Sequence, residues 1–396
     1  MTPEIPQEEM KWLFDEMLEV RRELHQHPEL GGEEYHTQAY LLSKLQQASI
    51  EATSCADTGI VAIVRGALPG RTVAIRADID ALPIEECSDD TCCSTCPGLM
   101  HACGHDLHTA IALGTALFFQ THREQLTGNV KFFFQPAEET FGGAKRMVEA
   151  GCLENPPVDA CIGLHVMPSL PVGTIETRHG TLNASTDSFE ITVCGLAAHG
   201  ARPEEGIDAL VAGTNIVSAL QSVVSRTISS VEPAVVTIGS FHAGTAGNVI
   251  ADRAQLSGTF RASNETNRAK GRRQIERICH LSAEALCARA EICWDEFGYN
   301  SLVNDDDVVD RIFAVGERVL GKDHVIEKPQ MSMGGEDFSF FIEKIPGAFY
   351  HLGCQKAGCE EYGLHTAGFA PDETCMMVGC RMHVALCLDL LENPIK

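Results

Sequence analysis

The apolar and polar positions of the first half alternate between helical and strand spacing. Lys11 to His27 is amphipathic and stops at Pro28, which cannot continue a helix, and Glu33 to Gln47 predicts a second helix. Two short β-rich runs follow, Gly59–Val64 and Thr72–Arg76, then a helix over His105 to Phe119 and a strand over Val130–Phe134. A further helix ends near Ala150-Gly151, where glycine suits the position just past a helix, and a strand covers Ala160–Leu164. Strands alternating with helices predict an α/β architecture around a mostly parallel sheet.

The texture changes near Thr181-Leu182-Asn183. An alternating strand, Ser188 to Cys194, precedes a long helix from Asp208 to about Ser225. Strands follow at Val235–Ile238 and Ala254 to Phe260, then a second long helix from about Glu265 to Ala290 and a closing strand from Glu291 to Phe297. That β-α-β-β-α-β order is ferredoxin-like. It predicts a smaller α+β domain, 183–297, inserted between the two parts of the α/β domain, 1–182 and 298–396.

With 396 residues, the chain is long enough for two domains with a well-buried core. Hydrophobic residues at 44% and charged residues at 21% give a globular balance. A formal net charge of −25 argues against nucleic acid and acidic membrane surfaces as partners and suits a small substrate. The stretch from Met1 to Glu9 lacks a basic region leading into an apolar one, so no secretory leader is expected. No apolar run is long enough to span a bilayer. Seventeen cysteines cannot all pair within the chain, and they are expected as reduced thiols in a cytoplasmic protein.

The richest chemistry lies in Met100-His101-Ala102-Cys103-Gly104-His105-Asp106-Leu107-His108. A thiol and an imidazole two residues apart can converge on zinc or a related ion if the backbone turns between them, and Gly104 permits that turn. The alternative is a histidine-rich helix start in water. Gln135-Pro136-Ala137-Glu138-Glu139 directly follows an apolar strand, so one carboxylate can bind metal while its neighbour accepts a proton. The alternative is an acidic helix start favoured by the helix dipole. Gly163-Leu164-His165 is read as a strand with a histidine at its end, and His365 stands in a loop-like segment; a core histidine and a surface histidine are the competing readings. Arg76-Ala77-Asp78-Ile79-Asp80-Ala81-Leu82-Pro83 ends another strand in carboxylates that either orient a metal-bound imidazole or cap a turn. Cys87, Cys92, Cys93 and Cys96 read best as loop thiols; the competing reading is a structural zinc held by Cys93 and Cys96 and completed by Cys354 and Cys359.

Taken together, the motifs resemble the amidohydrolase branch of the aminoacylase and carboxypeptidase metallopeptidases, a branch with hippurate hydrolase, N-acetyl-diaminopimelate deacetylase and the plant auxin–amino acid conjugate hydrolases. The resemblance runs through the segments quoted and on through Gly244-Thr245-Ala246-Gly247-Asn248-Val249-Ile250, Gly335-Glu336-Asp337-Phe338 and His365. It implies hydrolysis of N-acyl (acetyl, benzoyl or similar) amino acids to a carboxylic acid and a free amino acid. It also implies two divalent ions per chain, with Zn, Mn, Co or Ni all suited. The ligands would be Cys103, His105, Glu139, His165 and His365, with Cys103 bridging. Glu138 would be the general base and Asp80 the catalytic aspartate, with Asp78 the rival for that place. His199 and Asn248 would bind substrate, and the inserted domain would serve as lid and homodimer contact. Thr366 and Ala367 after His365, Ala198-His199-Gly200-Ala201, and Gly247 where phenylalanine is common all depart from the branch pattern. The last of these bears on the acyl pocket. A dipeptidase or carboxypeptidase is the second reading, and a non-catalytic metal binder the third.

Overall fold

Three stretches, 73–78, 130–135 and 160–164, are buried throughout, on both faces, which is what the middle of a parallel sheet demands. The computed structural model describes residues 6–87, 92–140, 142–356 and 363–395. The chain divides into two compact units, 1–182 with 303–330 and 337–396, and 183–302 with 331–336.

In the first unit the leading strands are β1 (Glu51–Cys55), β2 (Gly59–Arg65), β3 (Leu68–Asp78), β4 (Thr127–Gln135), β5 (Ala160–Pro171) and β6 (Ile175–Thr177). Its eight-stranded sheet runs β1-β2-β4-β3-β5, then Gly347–Gln355, β6 and Val325–Glu327. The centre is parallel: β3 pairs parallel with β4 and β5, and β5 with Gly347–Gln355. The pairs β1–β2, β2–β4 and β6 with Gly347–Gln355 are antiparallel. Strand β1 was not expected. Its sequence, Glu-Ala-Thr-Ser-Cys, is too polar to announce a strand, but polarity is what an exposed sheet edge tolerates.

The helices α1 (Gln7–Gln26), α2 (Tyr35–Gln47) and α3 (His105–Thr121) belong to this unit. Helix α3 is buried around nearly its whole circumference, from His105 to Phe119, and packs against α1 and the helix Cys375–Glu392. It carries its charged and imidazole side chains into the core at its first turn, and further along the buried Thr115 donates to Ile111 O within the helix.

In the second unit the elements follow the order β-α-β-β-α-β, with strands Ser185–Cys194, Ala234–Ala243, Arg253–Ala262 and Arg289–Trp294. All pairs are antiparallel, the first and third strands lying in the middle. The expected helix from Glu265 to Ala290 is shorter. It ends at Glu284, Cys287 takes φ +59°, and the last strand starts at Arg289. Ala288 and Ala290 suit a helix by propensity, but pairing with Ser185–Cys194 claims the segment.

Candidate metal centre

The ends of β3 and β4 and the entry to α3 bring the chemistry of the first unit together, at the carboxyl ends of parallel strands. Gly104 starts α3 with φ +84°. A Cβ there would stand 2.4 Å from Val166 Cγ2, so only glycine lets Cys103 and His105 turn inward side by side. His165 is not at a strand end as expected, since β5 continues to Pro171. Pairing with β3 nevertheless stops at Gly163, which leaves His165 beyond that edge and free to face Cys103.

The ligand atoms of Cys103, His105 and His165 lie within 4.8 Å of one another, as do those of Cys103, Glu139 and His365, and those of His105, Glu138 and Glu139. Cys103 is common to the first two groups. Its Sγ is 3.3 Å from His165 Nε2 and 3.2 Å from His365 Nε2, and His365 Nε2 is 3.1 Å from Glu139 Oε1. Two ligands on one tetrahedral ion, with bonds of about 2.0–2.3 Å, stand roughly 3.3–3.6 Å apart, so these separations are close to ligand spacing.

Both inner imidazoles are turned with Nε2 toward the cluster. His165 Nδ1–H donates to Val166 O (2.7 Å), and His105 Nδ1–H donates to Asp80 O (2.9 Å) and Oδ1 (3.1 Å). His105 Nε2 is left buried with no hydrogen-bond partner among the described residues. Burial disfavours charge on His105, yet Asp78, Asp80 and Glu139 outweigh it and push its imidazole up to about 10. Burial and the carboxylates of Glu139, Glu138 and Asp78 push the Cys103 thiol up in the protein alone. An unpartnered imidazole nitrogen, a thiol and a surplus of carboxylates make a donor set suited to cations.

The two aspartates of the β3 motif do different things. Asp80 holds His105 through Oδ1 and accepts the Glu139 backbone N–H on Oδ2 at 3.0 Å, so it locks two candidate ligands at once. Asp78 faces inward. It accepts from Arg76 Nη1 (2.7 Å) and from His108 Nδ1–H (2.5 Å), and His108 Nε2 in turn accepts the Val166 N–H at 2.9 Å. Arg76 also donates to Asp337, which accepts from Gln135 Nε2 and the Ala144 N–H as well. This buried chain ties β3, β4, β5 and α3 together beneath the cluster. Sequence reading assigned nothing to His108, Gln135 or Asp337, although polar residues inside apolar segments were a signal. It also passed over Glu34, whose buried carboxylate accepts the N–H of Ala137 at 2.7 Å. Ala137 has φ +52° and His365 φ +60°, so strained backbone flanks Glu138 and carries His365.

His199 and Asn248 belong to the second unit, where the Gly200 N–H donates to Asn248 O at 2.7 Å. The Ala201 N–H donates to His199 Nδ1 at 3.0 Å, so a neutral ring carries its proton on Nε2. A Cβ on Gly247 would meet nothing within 4 Å. No disulfide joins the described cysteines. Cys87 is exposed and Cys92 is buried, donating to Arg22 O at 3.6 Å; Cys359 and Tyr362 lie outside the described residues. No helix among the described residues is long and apolar enough to cross a membrane.

Comparison with known proteins gives one consistent result. The family model described as Peptidase family M20/M25/M40 matches residues 74–389. The N-acetylcysteine deacetylase of Bacillus subtilis (strain 168) is 40% identical over 379 residues, covering 95% of this chain and 97% of that protein. Thermostable carboxypeptidase 2 of Saccharolobus solfataricus is 36% identical over 386 residues, covering 96% of each. Among solved structures, a Bacillus subtilis protein described as a dinuclear metal binding peptidase superposes with a TM-score of 0.83 at 36% identity, covering 96% of this chain and 99% of that one.

Proposed function

The chain belongs to peptidase family M20/M25/M40 and is a hydrolase of amide bonds, and on that premise we propose that it releases free amino acids from N-acyl amino acids. The observation that carries the reading is Glu138. A buried carboxylate stands beside His105 and Glu139 next to a cation-suited cluster, and a pure metal binder has no need of it.

In this reading one divalent cation would be held by Cys103, His105 and His165 and another by Cys103, Glu139 and His365. Such ions would supply Lewis-acid activation of an amide carbonyl and of water. The protein's residues do the rest. Asp80 keeps His105 and Glu139 in place. Glu138 takes the proton of the attacking water and passes it to the departing amine. His199 and Asn248 are assigned to substrate binding on the family motif alone. Homodimerisation and a reducing cytoplasmic setting belong to the same proposal.

The relative named a carboxypeptidase supports a second reading, hydrolysis of peptides. A screen of N-acetyl and N-benzoyl amino acids against dipeptides, on metal-reconstituted protein with and without chelator, tests both. Chelator-sensitive turnover of N-acyl amino acids in preference to dipeptides is expected. A preference for dipeptides would move the assignment to the second reading, and turnover indifferent to metal would overturn both.

A further inference from the structure

At the end of α1 and the start of α2, three further side chains stand at ligand spacing. Glu23 lies in the last turn of α1, His27 four residues on at its C-terminal boundary, and His36 in the first turn of α2. Their ligand atoms all lie within 4.8 Å of one another. Glu23 Oε1 is 3.2 Å from His27 Nδ1 and 3.2 Å from His36 Nε2. Two nitrogen or oxygen ligands on one tetrahedral ion, with bonds of about 2.0–2.1 Å, are roughly 3.3 Å apart, so both separations match what one ion imposes. The two rings have centroids 5.0 Å apart and planes at 49°, inclined to each other rather than stacked.

The group is also held in place. Glu29 accepts the backbone N–H of His36 on one oxygen (2.9 Å) and that of Thr37 on the other (2.8 Å), which fixes the start of α2. Glu23 and His27 share one face of α1 through their four-residue spacing. Glu23, His27 and His36 are 33%, 41% and 48% exposed, so an ion can reach them without the fold opening.

We propose that Glu23, His27 and His36 form a separate site for a third divalent cation. The chemistry of two imidazoles and one carboxylate selects Zn²⁺, Ni²⁺ or Cu²⁺ over Mg²⁺ or Ca²⁺, which prefer all-oxygen shells. Three protein ligands leave at least one position to water. The bound ion links the end of α1 to the start of α2, so its direct effect is on the stability of that helical pair. The site is independent of the catalytic proposal, because it shares no residue with the cluster around Cys103.

The competing account is a purely hydrogen-bonded trio, since His27 Nδ1–H also donates to Glu23 O at 3.0 Å. Calorimetric titration of Zn²⁺ into full-length protein whose catalytic centre is already loaded separates the two. The parent is expected to take up one equivalent more than His36→Ala, and His27→Ala and Glu23→Gln are each expected to weaken that binding at least tenfold. The comparison subtracts any zinc held by surface thiols, which all the proteins share. Turnover at saturating catalytic metal should be the same in parent and variants, and Zn²⁺ should raise the melting temperature of the parent above that of His36→Ala. Equal uptake by the parent and the three variants would overturn the site. So would an ordering in which Mg²⁺ competes with Zn²⁺ on equal terms.

Discussion

Glu138 and Glu139 are adjacent in sequence but face different tasks, and the residue scale is where that difference can be measured. Glu139 lies against His365 and Cys103, and both glutamates share a group with His105. Glu138→Gln keeps the shape and loses the proposed base. It is expected to retain metal while kcat falls by about 100- to 10,000-fold. Near-normal kcat in the fully metallated variant would assign the proton transfer elsewhere. Asp337 acts at a distance from the cluster, through Arg76 and then Asp78 and His108. Asp337→Asn leaves the Arg76 guanidinium buried with one carboxylate fewer, so lower stability is expected. Metal affinity should also weaken by about 10- to 100-fold, the usual cost of disturbing groups that orient metal ligands. Competition with a chromogenic chelator on the folded variant measures it, and affinity within twofold of the parent would show that the chain serves stability alone.

Among the elements, the helix Cys375–Glu392 carries an unusual passenger. His383 is buried in it, edge-on to the Tyr350 ring with centroids 5.9 Å apart, and neither ring nitrogen has a partner among the described residues. Burial, aided by the nearby His108, pulls its imidazole down to about 3. The sign follows directly. The folded state holds this histidine neutral, so its contribution is complete above the unfolded value of about 6.5 and is lost progressively as pH falls from there toward 3. His383→Leu removes the titrating group at similar volume. Denaturant unfolding between pH 6.5 and 4.5 should therefore show a shallower acid loss than the parent, by up to about 1.4 kcal/mol per pH unit. Parallel pH profiles for the two proteins would exclude His383 as a source of acid lability. The other elements were legible to different degrees. The helices of the first half announced themselves by period and β2 to β5 by their β-rich apolar runs, but β1 and the early end of the helix at Glu284 did not, because pairing with a neighbouring strand decided both.

At the scale of the whole molecule, the second unit ends its sheet in an open edge. Among the described residues Ala234–Ala243 pairs on one side only, with Arg253–Ala262, and Val235 and Phe241 are 38% and 37% exposed. Unpaired strand edges with apolar side chains favour association with a second copy. Light scattering at working concentration is expected to give twice the chain mass, and a lysine introduced at Val235 should shift the protein toward monomer. A stable, fully active monomer would remove the dimer from the proposal. The net charge of −25 keeps such an assembly soluble without specifying it.

The sequence by itself determined the inventory. It showed an α/β chain with an inserted β-α-β-β-α-β segment, and it showed Cys103, His105, Glu138, Glu139, His165 and His365 as the residues with chemistry to offer. Strand and helix periods and short motifs are properties of neighbours in the chain, so local pattern suffices to raise these candidates, whereas their roles as ligands and base came from the resemblance of the motifs to a family. Only the tertiary structure decided which aspartate of Asp78 and Asp80 meets His105 Nδ1, and that Asp337 reaches Arg76 from 261 positions away. It also decided that His27 and His36 share one carboxylate. Those are distances of a few ångströms between side chains far apart in the chain. They are fixed by how the sheet and helices pack, and no run of adjacent residues encodes them.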